Sequence, residues 1–235
     1  MRSQDDETKR LAKRFGSLLI RPTNLPSDPM ESLETLRTRG VLSRVQHLVL
    51  PAGEQIEFSS KEEEYLEQWD ELDSELLAKL GKIKDRNKRI LECLLGLDER
   101  WPTLFFACSV EHAQAMSILL RRKGRTAATV SGVTRDSTRR HLIELFKAGK
   151  LSVLCNFGVL TTGFDAPKVR AVVVARPTKS RLLYEQMIGR GMRGDAFGGT
   201  PECLVIDVAD NLFHRNGKEF VPAFQQYGEY WGSEK

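Results

Sequence analysis

An α/β fold, a parallel sheet covered by helices on both faces and preceded by an α-rich N-terminal arm, is predicted by three features of this 235-residue sequence. The pattern switches at Trp101-Pro102 from long amphipathic stretches to short apolar runs alternating with helical ones. Those runs (residues 103–108, 127–130, 151–156, 171–175 and 203–208) are continuous rather than alternating, as in strands buried on both faces. The stretches between them, 110–123, 137–147 and 180–189, have helical spacing, and Gly124 and Gly149 stop the first two.

Ahead of Trp101 the elements are less even. Residues 8–14 look like the end of a helix, and 15–20 form an apolar run closed by Arg21-Pro22. Three prolines, at 22, 26 and 29, mark a loop. Residues 31–39 read as a helix stopped by Gly40, and 45–50 as a strand closed by Pro51. Ser59 or Ser60 can cap a long helix in which Leu66, Trp69, Leu72, Leu76, Leu77 and Leu80 share one face as far as Gly81. A second helix follows over 83–96. The expected division is 1–58 as the end of a preceding domain and connector, 59–100 as a two-helix arm, and 101–235 as the α/β domain.

Composition excludes several classes. With 40% hydrophobic and 29% charged residues the chain is ordinarily globular. It has no apolar run near the roughly 18 residues of a membrane span. Residues 1–14 are mostly charged, so neither a secretory leader nor a membrane partner is expected, and the expected location is cytoplasmic. Cys93, Cys108, Cys155 and Cys203 form no C-x-x-C pair, and His47, His112, His141 and His214 form no spaced ligand set; no metal site is expected. The net charge of +4 is uneven: residues 1–100 hold 17 basic and 20 acidic side chains, whereas 101–193 hold 16 and 5. The second stretch is basic enough to attract polyanions such as nucleic acid or nucleotide phosphates.

Two segments carry the chemistry. In Gln186-Met-Ile-Gly189-Arg190-Gly191-Met-Arg193, steps of four and three residues set Gln186, Arg190 and Arg193 on one stripe of a helix. The forked donors of arginine match phosphate oxygens, so such a stripe can reach the γ-phosphate of a nucleotide. The G-x-G-x-x-G pattern of residues 189–194 is not a dinucleotide fingerprint, because it closes a helix rather than opening one after a strand. The second segment, Asn156 to Pro167, follows a buried strand and so lies at the edge of the sheet where ligands bind. Its Thr hydroxyls and glycine-flanked amides can hold a nucleic-acid phosphate, and Asp165 can accept a ribose hydroxyl or an arginine. Standing alone, it would read first as a Gly-Pro loop with a turn-stabilising Asp.

In this order the segments resemble the second RecA-like domain of superfamily-two helicases and translocases. Residues 104–109 are similar to motif IV, Ser131-Gly132 with Arg139-Arg140 to motif IVa, 156–167 to motif V, and 186–193 to motif VI, Q-x-x-G-R-x-x-R. The wording LTTGFDAP is closer to the DEAH-like, restriction-and-repair type than to DEAD-box RNA helicases. Residues 11–50, especially Gly40-Val-Leu-Ser43, resemble the tail of the first domain. The resemblance implies that Arg190 and Arg193 are arginine fingers and that Gln186 senses the γ-phosphate. It implies Gly163 and Asp165 at the nucleotide-binding interface between domains. Ser109, Thr134, Asn156 and Thr161 would face the phosphates of the tracked strand, with Arg139 or Arg140 nearby.

Departures from the family are as informative. No G-x-x-x-x-G-K-[ST] occurs in the sequence. Asp70-Glu-Leu-Asp73 spells an acidic box but sits within an amphipathic helix, where it reads as a solvated face. The expectation is therefore the C-terminal half of an ATP-dependent nucleic-acid helicase or translocase, with DNA favoured over RNA as the track. ATP and Mg2+ would be bound jointly with a P-loop-bearing first domain and not by this chain alone, which is expected to be inactive by itself. The alternatives are a non-catalytic module that binds nucleic acid or protein and, with the misplaced glycine pattern counting against it, a small-ligand Rossmann enzyme.

Overall fold

The computed structural model describes residues 24–159, 166 and 168–231. Among them, six strands form one parallel sheet: β1 (Arg44–Glu57), β2 (Thr103–Phe106), β3 (Ala127–Ser131), β4 (Val153–Phe157), β5 (Ala171–Val174) and β6 (Glu202–Phe213), in the order β1-β6-β5-β2-β4-β3. The helices are α1 (Pro29–Thr38), α2 (Ser60–Trp69), α3 (Ser74–Leu80), α4 (Lys84–Gly96), α5 (Val110–Arg122), α6 (Asp136–Lys147) and α7 (Arg181–Ile188), with 3-10 turns at Asp195–Phe197 and Ala223–Trp231. The apolar runs and the helices that alternate with them after Trp101 stand where the sequence predicts.

Strand alternation builds two cores. Phe105, Cys155, Val173 and Ile206 face α4 and α5, packing on Ile90, Leu94, Met116 and Leu120. Leu104, Phe106, Leu154, Val172 and Val205 face the other way, against Phe146 of α6, Tyr184, Met187 and Ile188 of α7, and Phe224 of the last turn. A third cluster of Phe58, Leu66, Leu76, Leu80, Leu212 and Phe220 covers the carboxyl ends of β1 and β6.

Residues 59–100 are a layer of this fold rather than an arm. Arg86 of α4 is 1% exposed; its Nε and Nη2 donate to Asp210 of β6 at 2.6 and 2.8 Å, and Nη2 also donates to the Ala175 carbonyl after β5. Arg125 ties the other end of α4 by donating to the carbonyls of Leu94, Leu95 and Leu97. The expected boundaries at 58 and 100 thus fall inside one hydrogen-bonded and packed unit, because β1 pairs along β6 in the same sheet.

Three local expectations are corrected. β1 does not end at Pro51 but continues to Glu57 with a register shift between Pro51 and Gln55. At the edge of a sheet, a residue without an N–H is tolerated. The single helix expected over 59–81 is two, because Asp70 takes a left-handed conformation (φ 54°) that closes α2, and Asp73 starts α3. Trp69 is left 61% exposed instead of joining the leucines. β6 runs on to Phe213, past the 208 expected.

Candidate functional site

Helix α7 starts at Ser180, whose hydroxyl accepts the Leu183 N–H at 3.2 Å. Its inner face is fixed by Tyr184, which donates to Asp207 Oδ2 at 2.6 Å; His47 Nε2 lies 2.7 Å from the same oxygen. Burial pushes the Asp207 carboxyl above the ordinary carboxylate range, and the hydrogen bonds from His47 and Tyr184 only partly oppose it. On the outer side, Tyr227 donates to Glu185, and Arg181 lies 5.4 Å from the Tyr227 ring centroid.

The helix stops at Ile188, so Gln186, Arg190 and Arg193 do not form the expected helical stripe. Gly189 caps it, the Gly191 N–H reaches Ile188 O at 2.9 Å, and Arg190 Nε donates to the Gln186 carbonyl at 3.3 Å. Arg193 lies in an extended segment that bridges antiparallel to Leu42. The Ser43 N–H donates to Met192 O at 3.0 Å and the Gly194 N–H to Val41 O at 3.0 Å. The fully buried Ser43 hydroxyl sits 2.8 Å from Arg193 O and 2.7 Å from Thr200 O. Ser43 immediately precedes β1, so the Arg193 main chain lies at the amino ends of β1 and β6. The glycines allow this close packing: a methyl on Gly191 would overlap the Cys203 sulfur and Val172, and one on Gly194 would overlap Gly40. Gln186, Arg190 and Arg193 remain partly exposed.

At the carboxyl edge the structure reassigns most of the expected strand contacts. Ser109 is 9% exposed and caps α5 by accepting the His112 N–H at 3.1 Å. Asn156 is fully buried, with Nδ2 donating to Phe105 O at 3.1 Å, so it does not face solvent. Thr134 Oγ1 accepts the Ser131 N–H at 2.9 Å, and Arg139 Nη2 donates to the carbonyls of Ser131 and Thr134 at 3.1 and 3.0 Å. Arg140 is exposed. Thr161, Gly163 and Asp165 lie outside the described residues.

Behind this edge sits a closed polar cluster that sequence reasoning missed. His112 Nδ1 accepts the Cys108 N–H at 3.2 Å; burial, with the Arg86 charge second, lowers the imidazole pKa to about 3. Burial likewise pushes the Cys108 thiol up to about 11, which leaves it protonated and inert. The Asp70 to Asp73 segment is also reassigned. It is the turn between α2 and α3, where Asp70 pairs with Lys179 at 2.6 Å and Glu71 accepts from Thr178 at 2.8 Å. It therefore braces the loop after β5 instead of forming a solvated helix face. No local sequence signal identifies these partners, which come from separate elements. Among the described residues, no group of three or more His, Cys, Asp or Glu is gathered to hold a metal ion.

Comparison with known proteins identifies what carries this geometry. Residues 85–195 match the family described as Helicase conserved C-terminal domain. The chain is 35% identical over 134 residues to IRC3 of Saccharomyces cerevisiae, provisionally named an ATP-dependent helicase, covering 56% of this chain and 19% of that protein. It is 39% identical over 138 residues to irc3 of Schizosaccharomyces pombe, provisionally named a mitochondrial ATP-dependent helicase, covering 57% and 22%. The chain thus spans about a fifth of the length of these relatives. The solved C-terminal domain of the DEAD-box protein Dbp5 shares the fold, with a TM-score of 0.50 and 20% identity over 65% of this chain and 82% of that one. Residues 85–195 thus match the helicase conserved C-terminal domain family, and the chain shares the RecA-like fold of such a domain.

Proposed function

We propose that this chain supplies the second-domain half of an ATP-driven motor of the restriction-and-repair type that moves on DNA. Arg190 and Arg193 act as arginine fingers and Gln186 as the γ-phosphate sensor, opposite a P-loop carried by a first helicase domain. The observation that carries this reading is the exit of α7, where the main chain from Gly191 to Gly194 is bound to Cys203, Val172 and residues 40–43. The backbone of Arg193 is thereby held and Arg190 directly precedes the held segment, while both residues remain partly exposed. Preorganised cations of this kind stabilise charge that develops on a transferring phosphoryl group.

ATP with Mg2+ fits these residues as an anion needing cationic donors. The described residues bring no metal-binding carboxylate set, so the metal would be held by the first domain. Held there, Mg2+ would supply positive charge that offsets the phosphate charge of the nucleotide. The strand would run along the carboxyl edge, contacting the Ser131–Thr134 turn and Arg140 through its phosphates; Gly163, Asp165 and Thr161 keep the roles that the family resemblance implies. Such contacts are independent of base sequence and weaken with salt. DNA is preferred because the wording of residues 160–167 is of the restriction-and-repair type.

In a protein that joins this chain to a P-loop domain, Arg190→Ala and Arg193→Ala should each lower DNA-stimulated ATP turnover by about 10³–10⁵-fold, with melting temperature unchanged. Turnover equal to the parent in both variants would remove the finger assignment.

A further inference from the structure

The fold divides the positive charge of residues 101–193 between two edges of the sheet. Of the 16 basic residues there, eight lie in the last turn of a helix or in the loop that leads into β3, β4 or β5, at the amino edge. Of the described acidic residues in the same stretch, Glu144 lies toward that edge, Glu185 stands mid-way along α7, and Glu111 and Asp136 follow strands at the carboxyl edge. The larger share of the excess charge is thus on the side away from Ser109, Thr134 and Arg140. The loop before β2 adds Asp98, Glu99 and Arg100, and there Asp98 and Arg100 pair at 2.6 Å.

Two turns present this charge. Gly124 (φ 87°) and Gly149 (φ 71°) end α5 and α6 in the left-handed conformation, with the Arg125 N–H returning to Leu120 O at 3.0 Å and the Lys150 N–H to Leu145 O at 2.9 Å. The turns are joined, since the Ser152 N–H and hydroxyl reach Thr126 O at 2.9 and 3.0 Å. Arg121, Arg122 and Lys123 therefore stand beside Lys147 and Lys150, all exposed. Only Lys147 has an ion pair among the described residues, with Glu144 at 3.4 Å. Basic residues favour helix carboxyl ends, but each end carries only about half an elementary negative charge, too little to cancel five cations at two ends.

We propose that this amino edge is a second nucleic-acid surface, which holds the phosphate backbone of a duplex. The strand spacing makes β5-β2-β4-β3 about 15 Å wide, which matches about four base pairs at 3.4 Å each. Single strands are held by stacking on aromatic rings. Here the large exposed apolar residues on the helix beside these turns are Ile118 and Leu119, the exposed Phe197 stands before β6 outside the β5-β2-β4-β3 span, and Trp101 is half-buried with the Arg170 guanidinium 5.0 Å from its ring centroid. Cations without stacking rings select phosphates, not bases. The proposal rests on the nucleic-acid part of the function above and is independent of Arg190, Arg193 and ATP.

The test is fluorescence anisotropy of this chain with a labelled short duplex and the matching single strand, from ~50 to ~200 mM salt. Arg121→Gln with Arg122→Gln and Lys123→Gln should weaken duplex binding about tenfold and reduce the slope of log affinity against log salt by about 2–3, with single-strand binding unchanged. Lys150→Gln, in the other turn, should reduce the slope by about 1 and guards against a folding defect of α5. An unchanged duplex slope in both variants, or equal losses on duplex and single strand, overturns the proposal. Arg140→Gln tests the carboxyl-edge reading separately: single-strand binding unchanged by it would count against that reading and leave the amino edge untouched.

Discussion

The carboxyl edge and the exit of α7 bind their motif residues in opposite ways. At the carboxyl edge, Ser109, Asn156 and Arg139 turn their side chains inward, onto a helix N-terminus, the Phe105 carbonyl and the carbonyls of Ser131 and Thr134. Past α7 the main chain is what the fold binds, through Gly191 against β5 and β6 and through Arg193 against Ser43. The side chains of Gln186, Arg190 and Arg193 remain at the surface. A polar residue near a strand end is thus ambiguous between scaffold and ligand contact until its burial is known. An arginine anchored by its backbone can still leave its side chain partly exposed, as Arg193 does.

If the comparison holds, substitutions at the carboxyl edge should alter stability more than binding. The largest effect is expected for Arg86→Met, which leaves Asp210, with a 2% exposed side chain, without its partner. Urea unfolding should show a loss of about 3–5 kcal/mol, and adding Asp210→Asn should recover part of it. A loss below about 1 kcal/mol would mean that the pair does not lock α4 to the sheet. At the α7 exit, Gly191→Ala forces a methyl against Cys203 and Val172, and overpacking of this kind costs about 1–3 kcal/mol. That variant should also depress motor turnover in the joined protein, unlike Arg86→Met measured well below its melting temperature.

The smallest effect is a pH dependence. The folded imidazole of His112 titrates near 3, below its ordinary 6.5, so between these values the unfolded chain binds the extra proton. Its contribution is therefore complete above pH 6.5 and is lost as pH falls, by about 1.4 kcal/mol per unit. Asp207, with a raised pKa, works in the opposite direction and favours the folded state at low pH. The comparison of wild type with His112→Gln isolates the histidine. Unfolding free energies from urea titrations at pH 6.5 and pH 5 should differ by about 2 kcal/mol less in the variant. Equal differences would place water on the His112 ring.

Much of this was legible in the sequence. Buried parallel strands declare themselves as continuous apolar runs, and helix ends as glycines; both are local properties of some ten residues. The stripe of Gln186, Arg190 and Arg193 failed because spacing assumes the helix continues, and Gly189 and Gly191 end it. The Asp70 to Asp73 segment failed because an aspartate tolerates the left-handed turn that splits α2 from α3.

By itself, then, the sequence determined the α/β alternation, the helix stops and the motif similar to that of helicase C-terminal domains. Each of these depends on neighbours along the chain. Only the tertiary structure decided which charges gather at which edge, and that Asn156 is core. It also decided that Ser43 holds Arg193 across 150 residues. Those outcomes depend on the order β1-β6-β5-β2-β4-β3, in which β1 and β6, the first and last strands among the described residues, lie side by side. No local periodicity records which strand lies beside which.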